Sequence, residues 1–172
     1  MDFIVWALAK VAVKKNSPAT IRDHRDIVFV NQDIAFEFVG RRDVSRWVKA
    51  AAAKEGFSLG AIAVVFTSDA YLLEVNRKYL GHDHHTDIIT FDYCDPLDRS
   101  TISGDLLISV ETVARNADSF EVSMRDEMLR VIIHGIMHLC GYKDKTSEEI
   151  AVMRAREDHY LTMFTEVFAD RR

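Results

Sequence analysis

Between Val131 and Leu139 the chain reads Val-Ile-Ile-His-Gly-Ile-Met-His-Leu. A helix this apolar on every side cannot face water, so it has to lie inside a core with a sheet or other helices around it. Two polar side chains interrupt it, His134 and His138. At about 100° per residue they fall about 40° apart, one turn above the other, and Glu127 and Arg130 continue the same stripe toward the N-terminus. Two buried imidazoles without partners would be costly, so something must converge on that face. The i, i+4 spacing also presents two ring nitrogens to one cation. From the pair alone, metal binding and a pair of hydrogen-bonded core histidines are equally open.

The surrounding sequence supplies the rest of the core. Short β-branched and aromatic runs at residues 27–30, 61–66, 88–93 and 105–110 read as four strands. Asp43 is placed as the N-cap of a helix reaching about Glu55, and Ser68 or Asp69 as the cap of one running toward Tyr79 and stopping at Gly81. Residues 111–120 read as helical. Ser123 with Asp126 opens the histidine helix, and Thr146 with Glu149 opens a last helix toward Phe168. Residues 94–104, with Pro96, read as a polar connection. The expected fold is α/β (α+β): a small mixed sheet of about four strands packed with about five helices, the candidate site on the buried one. Strand order does not follow from the sequence.

At 172 residues the length fits one domain. Residues 1–25 read as an N-terminal extension, and residues 26–172 as a single domain. The apolar stretch at residues 3–9 is far short of a membrane span, and its lysines follow rather than precede it, unlike a signal peptide. Cys94 and Cys140 are too few for a disulfide scaffold and read as free thiols of a cytoplasmic protein. With 22 basic and 27 acidic residues the net charge is −5. A nucleic-acid contact must therefore come from a local patch or through a metal.

Gly141 lets the histidine helix stop sharply. The chain can then double back, so that Asp144 brings a carboxylate toward both rings. Two histidines and one carboxylate make a three-ligand set with a fourth position left for water, the open pattern of catalytic rather than structural zinc. Such an ion lowers the pKa of its water toward about 7. Cys140 lies about 200° around the helix from His138 and points away. Gly135 stands where a zinc peptidase of the HExxH type carries its catalytic Glu, which counts against that activity.

The segment His134-Gly135-Ile136-Met137-His138-Leu139-Cys140-Gly141-Tyr142 resembles the signature of the YbeY endoribonucleases, the rRNA maturation factors. Residues 76–91, from Asn76 and Tyr79 through Asp83, Thr86 and Asp87 to Phe91, resemble a second block of that family. Ser103-Gly104-Asp105-Leu106-Leu107-Ile108-Ser109 resembles a third. The blocks come in family order, and the likeness spans roughly residues 27–168. It implies a zinc-dependent, single-strand-specific endoribonuclease with one Zn2+ held by His134, His138 and Asp144. It further implies a role in maturation of the small-subunit rRNA 3′ end and in ribosome quality control. Implied partners are single-stranded RNA, ribosomal particles, a small-subunit ribosomal protein and an assembly GTPase, with no membrane.

Two positions depart from the pattern. The family's third histidine falls at Asp144, because the local text is Gly-Tyr-Lys-Asp rather than Gly-Tyr-Asp-His; carboxylate oxygen is an acceptable zinc ligand. Leu80 stands where the family carries an Arg. Arg77, His82 and His85 are candidates for a catalytic or phosphate-contacting role. Arg42, Arg46 and Lys49, at i, i+4 and i+7, and Lys143 are candidate RNA contacts. Whether water or the ribose 2′-hydroxyl attacks phosphorus is open. So are two rival readings: a metal-dependent hydrolase of another substrate class, and a non-catalytic ribosome-assembly factor.

Overall fold

The computed structural model of the chain describes residues 27–168; the extension read at residues 1–25 lies outside them. Four strands form one mixed sheet: β1 (Ile27–Asn31), β2 (Ser58–Thr67), β3 (Ile88–Asp92) and β4 (Thr101–Ser109). The order is β1-β2-β4-β3, with β1, β2 and β4 parallel and β3 antiparallel on the β4 edge. The helices are α1 (Arg41–Lys54), α2 (Asp69–Val75), α3 (Val110–Ser119), α4 (Met124–Leu139) and α5 (Ser147–Phe168), and a five-residue π-helical turn (Asn76–Leu80) continues α2. Among the described residues no helix is long and apolar enough to cross a membrane.

Alternation along the strands divides the core. Ile62, Val64 and Phe66 of β2 and Ile102, Leu106 and Ile108 of β4 face the larger side, where they meet α1, α4 and α5. The intervening Val65 and Leu107 face the other side, against Leu72 and Val75 of α2. Helix α4 is the centrepiece: it packs on β3 and β4 and against α1, α3 and α5. Ile132, Ile133, Ile136, Met137 and Leu139 are each fully buried, as the apolar sequence demands.

Side-chain caps set several helix starts. Ser68, rather than Asp69, caps α2, its Oγ accepting from the Tyr71 N–H at 3.2 Å. Ser123 does the same for α4, from the Asp126 N–H at 3.1 Å. At α5 the box is reciprocal: Thr146 Oγ1 accepts from the Glu149 N–H at 3.2 Å, and the Glu149 carboxylate accepts from the Thr146 N–H at 3.1 Å.

Two expectations change. Helix α1 starts at Arg41, not after Asp43, because Gly40 takes φ 81° and turns the chain into the helix without a side-chain cap; Asp43 instead sits in the first turn, 3.7 Å from Arg46. Strand β4 begins at Thr101 inside the stretch read as a connection, pairing Thr101 with Ser58 and Ile102 with Leu59. Only Thr101 there is exposed, while Ile102 is fully buried; a single apolar residue between Thr101 and Ser103 is too short a run for a hydrophobicity pattern to mark as a strand.

Candidate metal centre

Each histidine of α4 is gripped from behind. His134 Nδ1 lies 2.8 Å from Glu157 Oε1 of α5. Glu157 is itself buried, and Arg130 Nη1 ties it down at 3.3 Å while reaching Asp158 at 2.9 Å. His138 Nδ1 lies 3.0 Å from the Tyr142 carbonyl oxygen. That carbonyl is in place because Gly141 adopts φ 97° and the Tyr142 N–H turns back to donate to the Met137 carbonyl at 3.0 Å. The reversal also returns Asp144 to the helix, its Oδ2 3.6 Å from His134 Nε2 and 3.4 Å from His138 Nε2. The two Nε2 atoms are 3.0 Å apart, with the rings nearly perpendicular at 89°.

These partners fix the proton positions. A carboxylate and a carbonyl oxygen only accept, so both Nδ1 atoms carry hydrogen and donate. In the neutral ring Nε2 then offers a lone pair. Two lone pairs and a carboxylate oxygen thus point at one spot, an arrangement that repels itself unless positive charge sits among them. Tetrahedral zinc with bonds of about 2.0–2.1 Å spaces its ligand atoms about 3.3–3.4 Å apart, and the three separations here, 3.0, 3.4 and 3.6 Å, bracket that value. The residues fit a divalent ion, with three protein donors and one position left open. Burial works to lower the His134 pKa, yet the Glu157 carboxylate, with Asp87 and Asp144 behind it, holds it above the ordinary value. The same field favours any cation.

His134, His138 and Asp144 line one wall of a cleft of about 520 Å3. Among the sequence candidates, His82 lines it too, as does Leu80, whereas His85 does not and its neighbour His84 does. Arg77 is turned aside into an ion pair with Asp83 at 2.6 Å. Lys145, not Lys143, reaches the cleft, and Arg42, Arg46 and Lys49 of α1 do not line it. Burial pushes the Cys140 thiol up to about 12, and Cys140 is not among the residues that line the cleft.

Gly135 has a packing role. A Cβ there would come within 2.7 Å of Leu106 Cδ2 and 2.8 Å of Ile88 Cδ1, so its absence lets α4 lie close on β3 and β4. Glu157 and the Tyr142 carbonyl were not anticipated from sequence. Glu157 did leave a trace: Met153, Tyr160 and Phe164 of α5 are buried at helical spacing, and Glu157 falls on that same face.

A family model described as Endoribonuclease YbeY matches residues 27–165, most of the chain and all of this site. The chain belongs to the YbeY endoribonuclease family. Among YbeY relatives, the chain is 43% identical over 140 residues to Endoribonuclease YbeY of Porphyromonas gingivalis, covering 81% of this chain and 91% of that one. It is 46% identical over 137 residues to Endoribonuclease YbeY of Bacteroides thetaiotaomicron, covering 80% and 98%. The fold is similar to the solution structure of TM1509 from Thermotoga maritima, with a TM-score of 0.55 and 26% identity over 81% of this chain and 89% of that one. YbeY membership supports an RNA-cleaving role. In this member the third donor facing the two imidazoles is a carboxylate.

Proposed function

We propose that residues 26–172 act as one zinc-dependent endoribonuclease unit, selective for single strands and working in the cytoplasm on the 3′ end of small-subunit rRNA and in ribosome quality control. Ribosomal particles, a small-subunit ribosomal protein and an assembly GTPase are the partners this reading carries. One observation bears most of its weight: two Nε2 lone pairs and the Asp144 oxygen converge at 3.0–3.6 Å with both Nδ1 protons already spoken for. In this reading one Zn2+ is held by His134, His138 and Asp144.

Bound there, such an ion supplies Lewis-acid polarisation of a phosphoryl oxygen and makes water a stronger nucleophile near neutral pH. The chain's own groups do the rest. Glu157 keeps the His134 proton on Nδ1, the Tyr142 carbonyl does the same for His138, and so both Nε2 atoms stay free to donate. Asp144 adds a negative charge that a third histidine would not. Lys145, the next residue, also lines the cleft, where its positive charge suits a phosphodiester oxygen.

The test is cleavage of a single-stranded oligoribonucleotide by the wild type, with and without chelator, and by His134→Ala and Asp144→Ala. Cleavage should need added zinc after chelation and fall at least about 100-fold in both variants, beyond the usual effect of removing an outer-shell partner. Undiminished cleavage in both would refute the assignment.

A further inference from the structure

We propose that His82 and His84 form a stacking platform for an unpaired nucleobase on the wall of the cleft away from α4. This rests on the RNA reading above and adds the group that would select a single strand. The two rings are already stacked on each other, with centroids 5.4 Å apart and planes 25° from parallel, within the range of stable aromatic pairs. Each keeps an outer face, and both side chains are exposed to the cleft that holds His134, His138 and Asp144. Among the described residues neither ring nitrogen of His82 or His84 enters a hydrogen bond or ion pair, so the rings are not committed to another polar group of the fold.

The platform has a firm base. Asn76, buried at 2% exposure, donates from Nδ2 to the His84 carbonyl at 2.8 Å and accepts at its own carbonyl from the His82 N–H at 3.3 Å. One buried side chain and its peptide thus pin both histidine backbones. The turn that carries them is π-helical, ends on Gly81 at φ 68°, and is anchored to β3 by the edge-on packing of Tyr79 on Phe91 at 6.1 Å. Single π turns inside helices recur at functional sites.

The chemistry favours a base over a phosphate. The one guanidinium on the loop, Arg77, is held by Asp83 at 2.6 Å. Leu80, 47% exposed, extends the surface with apolar atoms that a phosphate would gain nothing from. Imidazole faces beside an aliphatic side chain suit the flat, sequence-independent face of a nucleobase. In a duplex those faces are covered by neighbouring bases, whereas an unpaired nucleotide can splay its base onto a side chain. A base resting here leaves its backbone in the same cleft as the three converging donors.

The experiment uses the full chain and a short fluorescent single-stranded oligoribonucleotide, with binding followed by anisotropy in chelator so that the RNA stays intact. The His82→Ala/His84→Ala pair should weaken binding roughly 5- to 100-fold, the span seen when a stacking side chain is removed. The His82→Phe/His84→Phe pair should keep most of the affinity, because it restores the ring faces without the nitrogens. Removing one base from the oligonucleotide should cost the wild type affinity and cost the Ala pair little more. In zinc, the Ala pair should raise KM with little change in kcat. An Ala pair that binds as the wild type does, or a Phe pair that falls as far as the Ala pair, would overturn the platform. If the wild type cleaves RNA and the Ala pair is unaffected, the platform alone fails. If the wild type neither binds nor cleaves single-stranded RNA, the endoribonuclease reading fails and the platform with it.

Discussion

The two walls of the cleft treat histidine in opposite ways. On α4 the rings of His134 and His138 are largely buried, and each Nδ1 is held by an oxygen whose position is fixed by other buried contacts. On the loop after the π turn, His82 and His84 are exposed, and among the described residues their rings stack on each other and make no hydrogen bond or ion pair. The difference follows from solvent. A buried imidazole must have its proton placed by a partner, and that partner then decides which nitrogen remains for a ligand. An exposed imidazole is hydrated and needs no partner, so its faces stay available to whatever enters the cleft. The same residue type thus serves as a directed donor on one wall and as a surface on the other.

The braced wall can be broken by one atom. Glu157→Gln keeps the shape and can still accept from His134 Nδ1, but removes the charge that raises the ring's basicity and that Arg130 neutralises. Zinc affinity, measured by competition with a chromogenic chelator, should fall about 10- to 100-fold, as for other outer-shell partners of metal-bound histidines. RNA affinity in chelator, which reads the loop wall, should not move. Equal zinc affinity in the variant would mean that the brace does not act on Nε2.

How much of this contrast was legible in the sequence depends on how far apart the partners lie. The α4 stripe was legible because its contrast, two polar residues among apolar ones at helical spacing, is entirely local. The turn at Gly141 and the return of Asp144 were legible for the same reason. Glu157 lies 23 residues beyond His134, and nothing in the spacing says that α5 crosses α4 at that point. The platform was half visible. The loop stood out by composition, yet it follows a π turn, one backbone step outside the helical pattern, and the lining of the cleft by His84 rather than His85 is not marked in the sequence. Strand order was not legible, because β2 lies between β1 and β4 and pairs with both through contacts far apart in sequence.

A smaller effect concerns how the loop wall is attached to the rest of the fold. Asp69, the first residue of α2, bridges to Arg115 at 2.7 Å and accepts from the hydroxyls of Ser109 and Thr112. Burial works against its ionisation, but the Arg115 guanidinium and the two hydroxyls prevail and bring its pKa down to about 2, from an ordinary 3.8. A carboxyl with its folded pKa below the unfolded one stabilises the fold fully above the unfolded value and loses that contribution as pH falls toward the folded one. Wild type should therefore lose more stability between about pH 4 and 2 than Asp69→Asn does, read as the difference in urea midpoint at each pH. Parallel losses in the two proteins would show that Asp69 is not the anchor described.

The claim on which all of this turns is that His134, His138 and Asp144 share one divalent ion. Its most direct test is metal analysis of protein purified without a polyhistidine tag, followed by zinc titration of the wild type and His138→Ala. About one zinc per chain in the wild type and little or none in the variant is the expected result. Wild-type protein that takes up no zinc, or a variant that still holds one per chain, would contradict it.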